Sequence, residues 1–159
     1  MHAPLQRRPA GPIRDQTEDQ KVYTVQPQTL ATSPTPSATT RPHILIVDDN
    51  ADAADTLGTY LQLSGYEVTI ATDPYAALNL ARELRPQVCV LDIGLPGMNG
   101  NVLAENLRRL PDTSGAVLIA LTGYGQAYDK QRSLGAGFDH YFVKPVNPGS
   151  IKDLIDRMP

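Results

Sequence analysis

The sequence is short of several features on which whole classes of protein depend. Its single cysteine, Cys89, cannot form a disulfide bond within the chain, and the apolar residues around it predict a buried, inert thiol. No stretch approaches the roughly 18 apolar residues of a membrane span, and no apolar segment follows Arg7 and Arg8 as a secretory signal would require. We therefore expect neither a membrane-spanning nor a secreted protein, and a cytoplasmic location fits the near absence of cysteine.

An excess of positive charge is also lacking. The chain has 14 Lys and Arg residues against 17 Asp and Glu residues, which gives a formal net charge of −3. A charge of this size predicts no strong electrostatic attraction to nucleic acid or to an anionic membrane. On this basis we expect neither direct DNA binding nor membrane association.

Large apolar side chains are scarce up to residue 42, where the composition changes. Residues 1–42 contain seven of the 14 prolines and the polar run from Thr29 to Thr40. Such a segment buries too little apolar surface to offset the entropy lost when it becomes ordered. We predict a disordered tail over residues 1–42 and one folded domain over residues 43–159.

From residue 43 onward, short apolar runs alternate with segments of helical period. The first, third and fourth runs are almost continuously apolar, as in strands covered on both faces, whereas the second alternates more and predicts an edge strand. The five predicted strands are His43–Val47, Glu67–Ala71, Val88–Leu91, Ala116–Leu121 and His140–Val143.

Helix signals follow each predicted strand. Asp73 and Asn147 are predicted N-caps, each with a proline at the first helical position, and the fourth helix is predicted to run from Gln126 to Leu134. Five strand–helix units predict a doubly wound α/β domain, with a five-stranded parallel sheet of flavodoxin-like order 2-1-3-4-5 flanked by five helices.

Polar side chains follow the predicted strands at their carboxyl ends. Asp48 and Asp49 follow the first predicted strand, Asp92 the third, Thr122 the fourth and Lys144 the fifth. The carboxyl ends of parallel strands meet at one rim of the sheet, where ligands bind in such folds. We expect these five side chains to gather there.

The chemistry of this set points to phosphoryl transfer. Three close carboxylates repel one another unless a cation neutralises them, and an oxygen-only cluster suits Mg²⁺. Lys144 offers a compact positive charge that can pair with a carboxylate and then with a phosphoryl oxygen, and Thr122 offers a hydroxyl donor. A carboxylate can act as the nucleophile and become an aspartyl phosphate.

These residues carry a resemblance to the response-regulator receiver family over about residues 43 to 158. Asp92 stands 30 positions before Thr122 and 52 before Lys144, as the family pattern requires. Asn99 stands where many relatives have Asp, with little expected consequence because both residues suit a turn or a helix cap. The matching motifs are residues 44–50 (ILIVDDN), 91–100 (LDIGLPGMNG), 120–123 (ALTG) and 142–145 (FVKP).

The resemblance implies a role for each residue of the site. Asp92 is implied to be the phosphoacceptor and a Mg²⁺ ligand, Asp49 a direct ligand, and Asp48 a ligand acting partly through water. The backbone carbonyl of Gly94 is implied to be a further ligand.

The resemblance also implies a switch. Lys144 would pair with the acceptor, Thr122 would move toward the phosphoryl group, and Tyr141 would then turn inward. The peptide bond between Lys144 and Pro145 is expected to be cis. Phosphorylation would bias two states of the surface formed by the fourth helix, fifth strand and fifth helix.

The implied function is that of a signalling domain that catalyses only its own phosphorylation and slow dephosphorylation. A histidine kinase or a histidine phosphotransfer protein would supply the phosphoryl group, and a downstream protein partner would read it or receive it in a relay. We expect a stand-alone receiver that is a monomer or a phosphorylation-dependent dimer.

Three alternatives remain. A phosphohydrolase with an aspartyl-phosphate intermediate usually has a second carboxylate two residues after its nucleophile, where this chain has Gly94. A flavodoxin-like cofactor binder needs a loop rich in glycine and hydroxyls after its first strand, where this chain has Asp48, Asp49 and Asn50. A degenerate receiver would act only as a phosphorylation-independent interaction module, although all five site residues are present.

Overall fold

The computed structural model of the chain describes residues 22–24, 41–123 and 127–158. The rest of the predicted tail, residues 1–21 and 25–40, lies outside these ranges. So does Gln126, where the fourth helix was predicted to begin.

Within the described ranges, six strands form one sheet in the order β1-β3-β2-β4-β5-β6. Strands β2 to β6 are parallel, and their order is the predicted 2-1-3-4-5, so the prediction of a doubly wound α/β domain is confirmed. The strands are β1 (Val22–Thr24), β2 (His43–Val47), β3 (Glu67–Ala71), β4 (Val88–Asp92), β5 (Val117–Thr122) and β6 (His140–Val143).

Of the five described helices, α1 to α4 connect successive parallel strands and α5 follows the last strand. Side-chain caps fix where most of them begin. Asn50, Asp73, Asn99 and Asn147 each accept a hydrogen bond from a backbone N–H in the first turn of the helix that follows. The predicted caps Asp73 and Asn147 are confirmed. The helices are α1 (Ala51–Leu63), α2 (Pro74–Leu84), α3 (Gly100–Arg109), α4 (Ala127–Gly135) and α5 (Pro148–Asp156).

Strand β1 was not predicted. It pairs antiparallel with β3, with Val22 opposite Ala71 and Thr24 opposite Thr69. The prediction that β3 is an edge strand is therefore wrong. An alternating pattern of apolar and polar residues indicates which faces of a strand are covered, and it does not indicate whether the hydrogen-bonding edge of the strand is paired. Val, Tyr and Thr favour strands, but a run of three residues is too short to predict one.

The helices cover both faces of the sheet, which leaves the ends of the strands as the places where polar groups can gather. On one face, α2 packs against β2 and α3 against β4, in a core that includes Leu45 and Leu107. On the other face, α1 packs against β2, β3 and α5, in a core that includes Ile44, Leu61 and Ile151. Cys89 lies in the first of these cores, on the side of α2 and α3, with no exposed surface. Burial raises the pKa of its thiol to about 12, as expected for an inert cysteine.

Candidate functional site

The parallel strands bring most of the predicted site residues to one rim of the sheet. Asp92 is the last residue of β4, Thr122 is the last residue of β5, and Asp48 and Lys144 directly follow β2 and β6. One carboxylate oxygen each from Asp48, Asp49 and Asp92 lie within 4.8 Å of one another. We call these three residues the acidic cluster.

Among the side chains that the structure describes, Lys144 is the cation that faces the acidic cluster. Its Nζ lies 3.0 Å from Oδ2 of Asp48 and 3.2 Å from Oδ2 of Asp92. Both carboxylates are buried, with Asp48 2% and Asp92 6% exposed, whereas Asp49 is exposed. One ammonium compensates only part of the charge of three carboxylates, so the cluster keeps an excess of negative charge.

Burial and the neighbouring charges together shift the pKa values of two groups at this rim. Burial raises the pKa of the Asp48 carboxyl above its ordinary 3.8 and the charge of Asp92 adds to this, against hydrogen bonds from the Asn50 amide and from Lys144. Burial alone would lower the pKa of Lys144, but hydrogen bonds and charges from Asp48 and Asp92 together outweigh it and raise that pKa above 10.5. Lys144 is therefore positively charged at neutral pH.

Backbone amides hold the two buried carboxylates in place. Oδ1 of Asp48 accepts a hydrogen bond from the N–H of Asn50, and Oδ1 of Asp92 accepts one from the N–H of Gly94, each at 3.0 Å. In both residues the other oxygen, Oδ2, is the one that faces Lys144. Each carboxylate is thus fixed on one side by its own loop and on the other by a charge.

Thr122 and Tyr141 lie beside the cluster and contact each other. The hydroxyl of Thr122 donates to the hydroxyl of Tyr141 at 3.2 Å, where Thr122 is buried and Tyr141 is half-buried on β6. The backbone N–H of Lys144 donates to the carbonyl of Thr122 at 2.7 Å. The peptide bond between Lys144 and Pro145 is cis.

Two contributions to this rim were missed by sequence reasoning. The carbonyl of Ala71, the last residue of β3, accepts the N–H of Asp48 at 3.1 Å. A Cβ at Gly100 would lie 2.3 Å from the carbonyl oxygen of Asp92 and 2.6 Å from Cα of Ile93, so only glycine fits at the start of α3. A glycine in the motif LDIGLPGMNG was the only signal of the second contribution, and nothing in the sequence signals the first.

Two cavities can be compared for their chemistry. One of about 630 Å³ adjoins the cluster and is lined by Asp48 and Lys144, together with residues of α1 and of the segment before α5. A larger one, of about 910 Å³, lies around Arg108 and Asp139. These two residues neutralise each other in a 2.6 Å ion pair, so the smaller cavity is the one that adjoins groups with uncompensated charge.

The donor set of the acidic cluster fits a metal ion of a particular kind. Its three donors are carboxylate oxygens without a histidine or a thiol, which hard divalent cations prefer. A bound cation would also remove the excess negative charge described above. The cluster can therefore hold a metal ion.

Comparison with known proteins places this site in a family. The family model described as "Response regulator receiver domain" matches residues 44–156. The chain is 37% identical over 114 residues to an uncharacterized 14.6 kDa protein of Leptolyngbya boryana, a match of 72% of this chain and 87% of that protein. It is 38% identical over 120 residues to the DNA-binding response regulator MtrA of Mycobacterium tuberculosis, a match of 76% of this chain and 50% of MtrA.

Solved structures show the same fold. The chemotaxis response regulator CheY4 of Vibrio cholerae superposes with a TM-score of 0.70 at 29% identity, covering 74% of this chain and 98% of CheY4. A CheY-like receiver domain protein of Methanospirillum hungatei superposes with a TM-score of 0.66 at 36% identity, covering 72% of this chain and 94% of that protein.

These relatives correct our expectation about partners. We expected no direct DNA binding from the net charge, but the relatives include MtrA and the DNA-binding master transcriptional regulator RpaA of Synechocystis, which is 36% identical over 117 residues. The chain spans about half the length of each, 50% and 47%. The net charge of this chain is therefore not a sound basis for an expectation about DNA binding, because the chain matches about half of each of these DNA-binding proteins.

The membership of the chain follows from the fold, the site and these matches together. None of the helices in the described ranges has both the length and the apolar character needed to cross a membrane. The family match covers most of the chain and spans every residue of the acidic cluster, Thr122 and Lys144. The chain belongs to the response regulator receiver domain family of two-component signalling.

Proposed function

We propose that this domain accepts a phosphoryl group from a phosphohistidine donor on the carboxylate of Asp92. The observation that carries the proposal is the position of the Lys144 ammonium, within 3.2 Å of both Asp48 and Asp92 at the rim that also holds Asp49. A carboxylate oxygen of Asp92 bonds to phosphorus while the bond from phosphorus to the donor imidazole nitrogen breaks. The imidazole leaves with the electron pair and takes up a proton.

Mg²⁺ is the metal that we propose for the acidic cluster. Asp48, Asp49 and Asp92 would hold it, together with the backbone carbonyl of Gly94. Support comes from the oxygen-only donors and from the excess negative charge. When bound, the ion would neutralise charge on the phosphoryl oxygens.

The chain's own residues have distinct roles in this proposal. The Gly94 amide and Lys144 hold the two oxygens of Asp92 in fixed directions before reaction, so little reorganisation is needed. Lys144 then pairs with a phosphoryl oxygen. Thr122, buried at the end of the neighbouring strand, donates its hydroxyl to another phosphoryl oxygen.

The switch follows from the contact between Thr122 and Tyr141. When the Thr122 hydroxyl turns toward the phosphoryl group, its 3.2 Å hydrogen bond to Tyr141 is lost, and Tyr141 turns inward. The surface formed by α4, β6 and α5 changes with it, which regulates a partner or allows the phosphoryl group to be relayed.

A receiver domain is a signalling domain and not a classical enzyme. We propose that self-dephosphorylation is slow, because Gly94 stands where a phosphohydrolase usually has its second carboxylate. We also propose a cytoplasmic location. We propose that the receiver domain proper begins near residue 43, where β2 starts, and that β1 of the preceding segment adds to the edge of its sheet.

Intact-protein mass after incubation with acetyl phosphate and Mg²⁺ tests the proposal. The wild type should gain one adduct of about 80 Da, and Asp92→Asn and metal-free samples should not. Asp55→Asn, which neutralises an exposed carboxylate on α1, is the matched control and should still be labelled.

Three other results would overturn the proposal. An adduct on Asp92→Asn would place the acceptor elsewhere. Multiple turnover of a phosphate ester would indicate a phosphohydrolase. Absence both of an adduct and of binding of the stable mimic beryllofluoride would indicate a phosphorylation-independent interaction module.

A further inference from the structure

We propose that β1 is an intramolecular brace that regulates the acidic cluster through the carboxyl end of β3. This inference rests on the proposed function insofar as the cluster binds Mg²⁺. It concerns a strand that lies outside residues 44–156, the part of the chain that matches the family model. Pairing of β1 would thus let the chain regulate Mg²⁺ binding at its own acidic cluster.

The direction of β1 places one of its ends at the rim. Because β1 runs antiparallel to β3, its first residue, Val22, lies opposite Ala71, the last residue of β3, and Thr24 lies opposite Thr69. Because the carbonyl of Ala71 faces β2, the residue of β3 whose backbone groups face β1 is Ile70, which lies opposite Tyr23. Without β1, the backbone groups of Ile70 would lose these partners. Unpaired edge strands open more readily than strands paired on both sides.

Ala71 connects this pairing to the acidic cluster. On the side away from β1, Ala71 lies opposite Val47 of β2, and its carbonyl accepts the N–H of Asp48 at 3.1 Å. Asp48 then places its carboxylate 3.0 Å from Lys144. A single residue therefore lies between β1 and the backbone that positions a proposed metal ligand.

The connection that follows β3 is too short to absorb a movement at Ala71. Only Thr72 and Asp73 separate β3 from α2, with Thr72 buried and Asp73 capping the helix by accepting the N–H of Tyr75 at 2.8 Å. Ala71 is thus held by α2 ahead of it, by β2 on one side and, through its neighbour Ile70, by β1 on the other. Of these supports, the three-residue strand β1 is the one that can be released without breaking the core.

The inference has a reciprocal consequence. If pairing of β1 preorganises Asp48 for metal binding, then metal binding must strengthen the pairing of β1 by the same free energy. Events that draw β1 away from β3 would weaken metal binding and, through it, phosphorylation of Asp92.

The test uses the full chain with Tyr23→Pro, since proline removes a backbone N–H and disfavours strand pairing. Thr35→Pro, in a segment that already has Pro34 and Pro36, is the matched control. Without metal, amide exchange measured by NMR should show the Asp48 N–H of Tyr23→Pro exchanging about tenfold faster than that of the wild type. The Asp48 N–H of Thr35→Pro should exchange at the wild-type rate. The Kd for Mg²⁺ should rise about 3–10-fold, below the loss typical of removing an outer-shell partner outright.

Tyr23→Gly gives a graded check, because glycine weakens a strand without removing its N–H. Its effects on exchange and on the Kd should lie between those of the wild type and Tyr23→Pro. The brace would be overturned if Tyr23→Pro and Tyr23→Gly had the same Asp48 exchange rate and the same Kd for Mg²⁺ as Thr35→Pro. A wild type that binds no Mg²⁺ would overturn the proposed function, and Asp48 exchange would still decide whether β1 braces the rim.

Discussion

The ammonium nitrogen of Lys144 lies 3.2 Å from a carboxylate oxygen of Asp92, although 52 positions separate the two residues in the chain. Asp92 ends one strand of the sheet and Lys144 follows another, and β5 lies between these two strands. The same nitrogen contacts Asp48, so one positive charge is shared by two buried carboxylates. Charge, more than packing, governs the behaviour of this rim.

Replacement of the shared cation should destabilise the metal-free protein. Lys144→Ala leaves Asp48 and Asp92 buried without a neighbouring cation, and we expect the free energy of unfolding at pH 7 to fall by about 1–3 kcal/mol. Urea denaturation measures this change. Lys152→Ala, which removes a solvent-screened pair with Asp156, is the control, and an equally large loss there would contradict the expectation.

Mg²⁺ should stabilise the wild type and not a variant that lacks an exposed ligand. At a Mg²⁺ concentration of about 100 times Kd, the wild type should gain about 2.7 kcal/mol, and Asp49→Asn should gain less than about 1 kcal/mol under the same conditions. Without metal, Asp49→Asn should be at least as stable as the wild type, because one repulsive charge is gone. Thermal unfolding with and without Mg²⁺ measures both effects, with Asp55→Asn as the control. A wild type indifferent to Mg²⁺ would argue against the metal site.

Stability should depend on pH through Asp48. Its folded pKa is raised, so the protonated form is favoured in the native state. The stability that this group contributes is complete below pH 3.8 and is lost as the pH rises through the higher folded pKa. The urea midpoint of the wild type, relative to that of Asp48→Asn, should therefore fall as the pH rises from 3.8 through the folded pKa of Asp48. Saturating Mg²⁺ should suppress this pH dependence. A wild-type midpoint that instead rises with pH relative to Asp48→Asn would show that folding lowers the pKa of Asp48 and does not raise it.

Much of the fold and of the site could be predicted from the sequence, because both depend on the order of apolar and polar side chains along the chain. Apolar runs marked the five parallel strands, and the chemistry of Asp73 and Asn147 marked two helix starts. The convergence of Asp48, Asp92 and Lys144 followed from parallel strands having their carboxyl ends at one rim.

The remainder depends on backbone contacts, which leave no side-chain pattern. Strand β1 pairs through main-chain groups of three residues, and Ala71 reaches Asp48 through its carbonyl. The narrow gap at Gly100 arises from the approach of two backbone segments. For the same reason, the edge-strand prediction for β3 was wrong.

A buried tyrosine should titrate late and affect alkaline stability. Burial raises the pKa of Tyr66 to about 12, and the hydrogen bond that its hydroxyl donates to Asp156 of α5 adds to this. The stability that Tyr66 contributes should be complete below pH 10 and lost as the pH rises toward 12. Phenolate absorbance should show a late-titrating tyrosine in the wild type that is missing from Tyr66→Phe. Tyr75→Phe, at a tyrosine that is 57% exposed, is the control, and loss of the late titration there would refute the assignment.

Addition of one methyl group at Gly100 should impair both the fold and the acceptor. The new Cβ would lie 2.3 Å from the carbonyl oxygen of Asp92, so α3 or the backbone of Asp92 must shift. We expect Gly100→Ala to lower the free energy of unfolding by about 1–3 kcal/mol and to slow labelling by acetyl phosphate in the fraction that remains folded. Gly115→Ala is the matched control, because a Cβ there has no neighbour within 4 Å, and its stability should stay within about 0.5 kcal/mol of wild type. Normal labelling of folded Gly100→Ala would mean that the close approach supports only the fold and does not position Asp92.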